Sequence, residues 1–263
     1  MTTTTELSIV IVSFNARTDL ERCLQSLHDF PPSRPHEIIV VDNASSDGSA
    51  DAVRRWPSVR VIETGANLGF SRGNNVGIRA SEGANLLLLN SDTIVPAGAI
   101  DRLLSTLDRH PEVAIVGPRL VDASGSAELS FGRMISPLAE LRQKQIAKGD
   151  VDALTRRQHF PDWVSGACLL VRRADAEAVG LLDERYMMYL EDVDFCAAIR
   201  ARGRKILFTP DIEITHLRGR SRLAAPAATH RAYRQSHIAF YVKHHPLWAP
   251  FLKLYLKVRG ADS

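Results

Sequence analysis

Carboxylate and amide side chains fall in short runs along this chain. Asp42-Asn43, Asn90-Ser91-Asp92 and Glu191-Asp192-Val193-Asp194 offer oxygen ligands and candidate bases, and His216 offers a ring nitrogen. Such carboxylates can hold a hard divalent cation or take a proton from a hydroxyl. Arg218, Arg220 and Arg222 follow His216 in a Gly- and Ser-containing loop, and Arg suits paired contacts with phosphate. Asp192-Val193-Asp194 is a literal D-x-D. If it opens a helix, residues two apart point about 200° from one another and cannot share a metal. Acidic residues in a first turn also suit the helix dipole.

The elements that must position these groups alternate. Ser8–Ser13 is a β-branched run with no polar alternation, as in a buried strand. Thr18-Asp19-Leu20-Glu21 reads as a capping box for a helix that Pro31-Pro32 ends, with Leu20, Leu24 and Leu27 on one face. Strands are predicted at Glu37–Val41, Val59–Ile62, Asn85–Leu89 and Val113–Val116. Helices are predicted from Asp47 or Ser49 to about Trp56, over Ser71–Ala80 and over Pro96–His110. Apolar strands separated by helices indicate a parallel sheet covered on both faces. Ligands bind such sheets at the carboxyl ends of the strands. Those ends carry Ser13-Phe14-Asn15, Asp42-Asn43, Gly65–Gly69 and Asn90-Ser91-Asp92. Gly69, Gly73 and Gly77 recur every four residues. They suit a helix packed closely on the sheet or a backbone that approaches a ligand.

Several classes drop out. No G-x-G-x-x-G follows the first strand and no G-x-x-x-x-G-K-[ST] occurs, which disfavours dinucleotide dehydrogenases and P-loop NTPases. No apolar run approaches the ~18 residues of a spanning helix, and the first residues lack the basic start and apolar stretch of a signal peptide. Three scattered cysteines (Cys23, Cys168, Cys196) predict neither a disulfide framework nor zinc, and a reducing, cytoplasmic setting is expected. The net charge of +3 conceals a split. Residues 197–263 hold 13 Lys or Arg against 3 Asp or Glu, and residues 1–196 hold 20 against 27. A tail so basic suggests an anionic partner, and equally suits a solvated face. Nucleic acid is not expected, because no recognition motif accompanies the charge.

SIVIVSFN (8–15), VVDNASSDGS (40–49), NLGFSRGNN (67–75) and LLLNSDT (87–93), followed by VSGACLLVRR (164–173), LLDERYMMYLEDVDFCAAIRARG (181–203) and His216, resemble in order and spacing the family 2 glycosyltransferases, in particular their rhamnosyltransferase-like branch. The resemblance implies an α/β GT-A fold: a Rossmann-like, mostly parallel central sheet flanked by helices, with a helical C-terminal extension. It implies a GT-A domain over 1–225, with a nucleotide-sugar half at about 7–120 and an acceptor half at about 121–225, and a basic amphipathic extension over 226–263. The implied activity is inverting, metal-dependent transfer of a sugar, with rhamnose the expected one, from a dTDP- or UDP-sugar to a saccharide acceptor that can be lipid-linked. Such transfer must stabilise a departing diphosphate, which a divalent cation does, and must deprotonate an acceptor hydroxyl. One base opposite the leaving group gives inversion.

By the same resemblance Asp192 is the base, with Glu191 beside it on the acceptor side. Asp42, Ser13 and Asn15 line the nucleotide pocket. Asn67, Gly69, Phe70 and Asn74 shape the donor side. Asn90-Ser91-Asp92 stands where the family carries its D-x-D, with Asn in place of the first carboxylate. Asp92 becomes the ligand of Mg2+ or Mn2+, and His216 completes the site. Arg218 and Arg220 would close over the diphosphate. Ser165 and Gly166 resemble the acceptor loop, and Trp163 either stacks on a sugar ring or plugs the core. Asp47 serves as a nucleotide contact or a helix cap. Met187, Met188 and Tyr189 are expected to pack.

Leu138–Ile146 is a candidate helix in an otherwise uninformative stretch. Two helices are expected at about 228–245 and 247–259, the second with Trp248, Phe251, Leu252, Tyr255 and Val258 on one stripe beside Lys253 and Lys257. That pattern fits an interfacial helix on the inner face of a membrane and equally a helix packed on the core. Two other readings stay open: a non-catalytic relative that binds nucleotide-sugar or glycan, which Asn90 favours, and a sugar nucleotidyltransferase, which SFNARTD disfavours because it lacks a Gly-rich triphosphate loop.

Overall fold

The computed structural model describes residues 4–137, 151–217 and 226–258. Eight strands follow one another across the main sheet in the order β3-β2-β1-β4-β10-β6-β11-β5. They are β1 (Leu7–Ser13), β2 (His36–Asp42), β3 (Val59–Glu63), β4 (Asn85–Asn90), β5 (Thr93–Ile94), β6 (Val113–Val121), β10 (Cys168–Arg172) and β11 (Lys205–His216), and β7 (Ala127–Glu128) adds to β6. β8 (Phe131–Gly132) and β9 (Trp163–Val164) form a separate antiparallel pair. The block β3-β2-β1-β4 is parallel, and β6 runs parallel to β11. β10 is antiparallel to both β4 and β6 and joins the two halves. The mostly parallel sheet expected from apolar strands is therefore present.

Side-chain alternation sends each strand to two cores. Leu7, Ile9, Ile11, Leu87 and Leu89 meet Leu20, Leu24 and Leu27 of α1 (Arg17–Asp29) and Leu103, Leu104 and Leu107 of α4 (Ala99–Arg109). Val10, Leu86 and Leu88 face the other way, toward Ile78 of α3 (Gly69–Arg79) and Phe195 and Ile199 of α7 (Glu191–Ala201). α3 lies close on the sheet because it presents glycine. A Cβ on Gly77 would meet Val10 Cγ1 at 2.4 Å and one on Gly73 would meet Val12 Cγ1 at 2.9 Å. The packing reading of the glycine repeat therefore holds.

The capping box does not form. α1 begins at Arg17, with Ala16 before it and no side-chain cap. Asp47 replaces it: its Oδ2 accepts the Arg17 N–H at 2.8 Å, and its Oδ1 accepts from Ser49 N and Oγ. A carboxylate thirty residues away thus satisfies the free N–H of a helix start. α2 (Ser49–Val53) is shorter than expected and opens from Gly48 in the left-handed region, which L side chains avoid.

Parallel register decides which strand ends meet. Ser13 pairs across to Asp42, and Val12 to Asn90. In β11 the pairing with β6 jumps between Thr209 and Glu213, across Pro210, which has no N–H to donate. The strand then continues to pair antiparallel with β5, His216 opposite Thr93. Two short helices complete this part, α5 (Val151–Leu154) and α6 (Arg173–Ala178). The C-terminal helices α8 (Pro226–His244) and α9 (Ala249–Val258) pack on a third cluster with Ile135, Tyr186, Leu190 and Val193. Leu252 is on the inward face of α9, with Ala249, and not on the outward stripe. Among the described residues no helix is long and apolar enough to cross a membrane. The candidate helix over Leu138–Ile146 lies outside the described residues.

Candidate functional site

β4 ends at Asn90, turns through Ser91 and Asp92, and enters β5. Because β5 pairs with the end of β11, Asp92 and His216 meet although 124 positions separate them. Asp92 Oδ1 lies 3.2 Å from His216 Nε2, and Asn90 Nδ2 lies 3.4 Å from the same nitrogen. The main chain ties the corner, Leu217 N donating to Asp92 O at 2.8 Å. On the other ring nitrogen, His216 Nδ1 lies 3.2 Å from Glu128 Oε2. Burial works against charge on His216, but hydrogen bonds and charge from Asp92 and Glu128 outweigh it and raise its pKa to about 9. One carboxylate oxygen, one imidazole nitrogen and one amide converge here. Among the described residues no group of three His, Cys, Asp or Glu is arranged to hold a metal. The donor set fits a cation that keeps most positions for phosphate oxygens and water, as Mg2+ does in phosphate sites.

The acidic pair Glu191-Asp192 lines the same cavity as Asp92 and His216. Tyr189 and Leu190 both adopt left-handed backbone, at φ 71° and 66°, a costly conformation for bulky residues that is found at functional sites. This crook starts α7 at Glu191. Asp192 Oδ2 accepts from Gly166 N at 2.9 Å, and its Oδ1 accepts from Val193 N at 2.8 Å. Glu191 is buried and its Oε2 has no hydrogen-bond partner. Burial, then the charge of Asp192, pushes the Glu191 carboxyl well above its usual range. Burial also raises Asp192, against the two backbone bonds that favour its ionised form. Burial and mutual charge thus oppose ionisation of both carboxyls together, and the backbone N–H groups of Gly166 and Val193 favour the charged form of Asp192.

Asp194 turns away from both. Its Oδ1 accepts from Tyr186 Oη at 3.2 Å and His244 Nε2 at 2.6 Å, and its Oδ2 accepts from Lys243 Nζ at 2.8 Å. It fastens α8 to the helix that carries Asp192. Asp194→Ala strands these donors around a buried site and is expected to cost about 3 kcal/mol, seen as a melting temperature lower by roughly 6–10 °C. A change below 2 °C would remove Asp194 from that role.

A cavity of about 730 Å³ brings together Phe70, Asn90, Asp92, Trp163, Ser165, Gly166, Glu191, Asp192 and His216. Trp163 is packed against the core, as one of its two readings expected. Its ring walls the cavity, and it bridges two cores, with Nε1 donating to Arg133 O. The expectation of packing for Met187, Met188 and Tyr189 is corrected in part. Met187 and Met188 are 48% and 37% exposed, and Met188 and Tyr189 line the cavity.

The other expected residues gather at the strand ends outside that lining. Asp42 is buried, its Oδ2 accepting from Ser45 N while Oδ1 has no partner, and the buried Ser13 Oγ beside it also lacks one. Buried polar atoms without partners are costly, and a ligand's donors and acceptors would satisfy these. Asn15 binds Ser46 N through Oδ1 and joins the β1 and β2 loops. Asn67 Oδ1 accepts from Gly69 N, and Asn74 Nδ2 donates to Phe70 O, so both amides shape the start of α3. Gly69 (φ +79°) abuts Met187, whose carbonyl a Cβ would meet at 2.4 Å. It approaches protein, not an open pocket. Ser91 lies in the turn before Asp92. Arg218, Arg220 and Arg222 lie outside the described residues.

The sequence reading missed Glu128 and the α8 residues Thr229, His230 and Tyr233, which line the cavity. Glu128 stands in no motif. His230 and Tyr233, three apart on one helix, share a face, but nothing local said which way that face would turn.

Residues 8–178 match the family described as Glycosyl transferase family 2. The chain is 32% identical over 264 residues to the N-acetylglucosaminyl-diphospho-decaprenol L-rhamnosyltransferase of Mycobacterium tuberculosis, with 92% of this chain and 86% of that protein covered. It is 24% identical over 226 residues to the rhamnosyltransferase WbbL of Escherichia coli K12, covering 79% of this chain and 82% of that protein. Among solved structures, the mannosyltransferase PcManGT of Pyrobaculum calidifontis, in complex with GDP-Man and Mn2+, superposes with a TM-score of 0.64 at 18% identity, over 96% of this chain and 69% of that one.

Proposed function

Because this chain belongs to glycosyl transferase family 2 and carries the GT-A fold, it is a glycosyltransferase, and we propose that it moves L-rhamnose from dTDP-rhamnose to a saccharide on a polyprenol diphosphate, with inversion. The observation that carries the reading is that Asp92, His216 and Asp192 line one cavity. The Mycobacterium relative, named for an L-rhamnosyl donor and a decaprenol-diphosphate acceptor, supports the choice of substrates.

The nucleotide lies over the ends of β1 and β2, where Asp42 Oδ1 and Ser13 Oγ await partners. Asp92, His216 and Asn90 are the residues that would hold Mg2+ or Mn2+. When bound, the cation neutralises the charge that grows on the leaving group. Asp192 accepts the proton of the acceptor hydroxyl as that oxygen bonds to the anomeric carbon. The bond from that carbon to the diphosphate oxygen breaks on the opposite face, which inverts the centre. Glu191, carrying its proton, donates a hydrogen bond to the acceptor, and Ser165, Gly166 and Trp163 form the acceptor wall.

Residues 1–225 are the GT-A unit and 226–263 an extension that also closes the site through α8. The extension rests on the inner face of the cytoplasmic membrane. What supports this is the outward side of α9, where Phe251, Leu254, Tyr255 and Val258 are exposed beside Lys253 and Lys257, with the exposed Trp248 just before the helix. An apolar face with a basic border suits an anionic interface.

The test is a thermal-shift panel of dTDP-, UDP- and GDP-sugars with and without Mn2+, since a ligand of the native state raises the melting temperature by mass action. dTDP-rhamnose with Mn2+ is expected to give the largest rise. No rise with any nucleotide in the presence of Mn2+ would overturn the donor site. Sedimentation with anionic vesicles at low salt tests the α9 contact, and absence of binding would remove it.

A further inference from the structure

We propose that Glu128 is a positioning residue that fixes His216 in the orientation and tautomer needed to take a divalent cation, an inference that rests on the cation reading above. β6 lies between β7 and β11. Leu120 of β6 pairs with Glu128 on one side and with Ile214 on the other. Long side chains from the two flanking strands therefore meet at this end of β6, and Glu128 Oε2 reaches His216 Nδ1 at 3.2 Å. Both residues are buried, at 8% and 7% exposure. A carboxylate is rarely buried without a charged or strongly donating partner. With Nδ1–H committed to Glu128, Nε2 is the nitrogen left toward Asp92, Asn90 and the cavity.

This is the arrangement by which a carboxylate behind an imidazole sets the ring and raises its basicity as a ligand. It also compensates for a poor donor set. Asn90 stands where a second anionic ligand could have been, so the direct protein charge on the cation comes from Asp92 alone. Glu128 adds negative charge one bond further out, through His216, without occupying a coordination position.

The experiment is an electron paramagnetic resonance titration of Mn2+ into the full chain with saturating dTDP, for wild type and Glu128→Ala, alongside dTDP binding without metal. Glu128→Ala is expected to weaken Mn2+ by about 10- to 100-fold and to leave metal-free dTDP binding within twofold. Mn2+ affinity in Glu128→Ala within twofold of wild type overturns the proposal. Wild type that takes no Mn2+ beside dTDP overturns the cation reading itself, and this inference with it. Should Glu128→Ala fail to fold, the wild-type protein still decides. Nitrogen-15 spectra with Mg2+ and dTDP are expected to show His216 protonated at Nδ1 and bare at Nε2, and the opposite tautomer overturns the role of Glu128.

Discussion

Asp192→Asn is expected to lower turnover by about 10²- to 10⁴-fold, the contribution of a positioned base, while dTDP affinity with Mn2+ stays within about threefold. Asp192 accepts from Gly166 N and Val193 N, so its carboxylate is held in place before any acceptor arrives. Asn keeps the shape and one of those bonds but has no basic oxygen. Two rivals for the role are weaker on physical grounds. Burial and the neighbouring charge of Asp192 raise the Glu191 carboxyl and oppose its ionisation, and Asp194 is spent on Tyr186, Lys243 and His244. The pH profile gives a second reading of the same group. A base must be ionised, so turnover falls as pH drops through its pKa. Burial raises Asp192 above its ordinary value of 3.8, and the acid limb should lie above that value and vanish in Asp192→Asn. Steady-state turnover of both proteins checks this. A variant that keeps more than a tenth of wild-type turnover would take Asp192 out of the mechanism.

Asp92→Ala is expected to cost on the order of 10³-fold in kcat/KM, the several kcal/mol of charge stabilisation that a cation supplies at a departing diphosphate. The loss should be large because no other carboxylate contacts His216 Nε2 among the described residues, and Glu128 faces the opposite ring nitrogen. Mn2+ affinity beside dTDP should fall in step with kcat/KM. Raising Mn2+ should recover part of the activity if His216 and Asn90 still bind it weakly. A variant with unchanged Mn2+ affinity would show that the cation sits elsewhere.

What the chain displays locally was legible. Apolar runs at residues 8–13, 37–41 and 85–89 became neighbouring parallel strands, because strands buried on both faces read as near-continuous apolar runs. The gathering of Ser13, Asp42 and Asn90 followed from their positions at strand ends. The separation of Asp192 from Asp194 followed from helical geometry. What depended on distant partners was not legible. Thr18 and Glu21 had the spacing of a capping box, but the helix starts earlier, at Arg17, whose N–H goes to Asp47. Leu252 belonged by spacing to the stripe of Phe251 and Tyr255, yet α9 turns it inward. Glu128 carries no local mark, and its meeting with His216 exists only because two strands flank β6. Even the proximity of Asp92 and His216, expected by resemblance, has its cause in β11. That strand skips three residues at Pro210–Ile212 and then pairs with β5.

The charge split also has an anatomy now. Acidic residues of the first 196 positions supply Asp42, Asp92, Glu128, Glu191 and Asp192. Part of the basic tail is consumed inside the molecule, where Lys243 and His244 hold Asp194, while Lys253 and Lys257 flank the exposed side of α9.

The most direct measurement is transfer itself. The full chain would be incubated with dTDP-rhamnose, Mn2+ and an N-acetylglucosaminyl diphosphate carried on a short polyprenol, with the products read by mass spectrometry and the new linkage by NMR. One added deoxyhexose, released dTDP and an anomeric configuration opposite to that of the donor are expected. Release of dTDP without a glycosylated acceptor, or a product that retains the donor's configuration, would contradict inverting transfer.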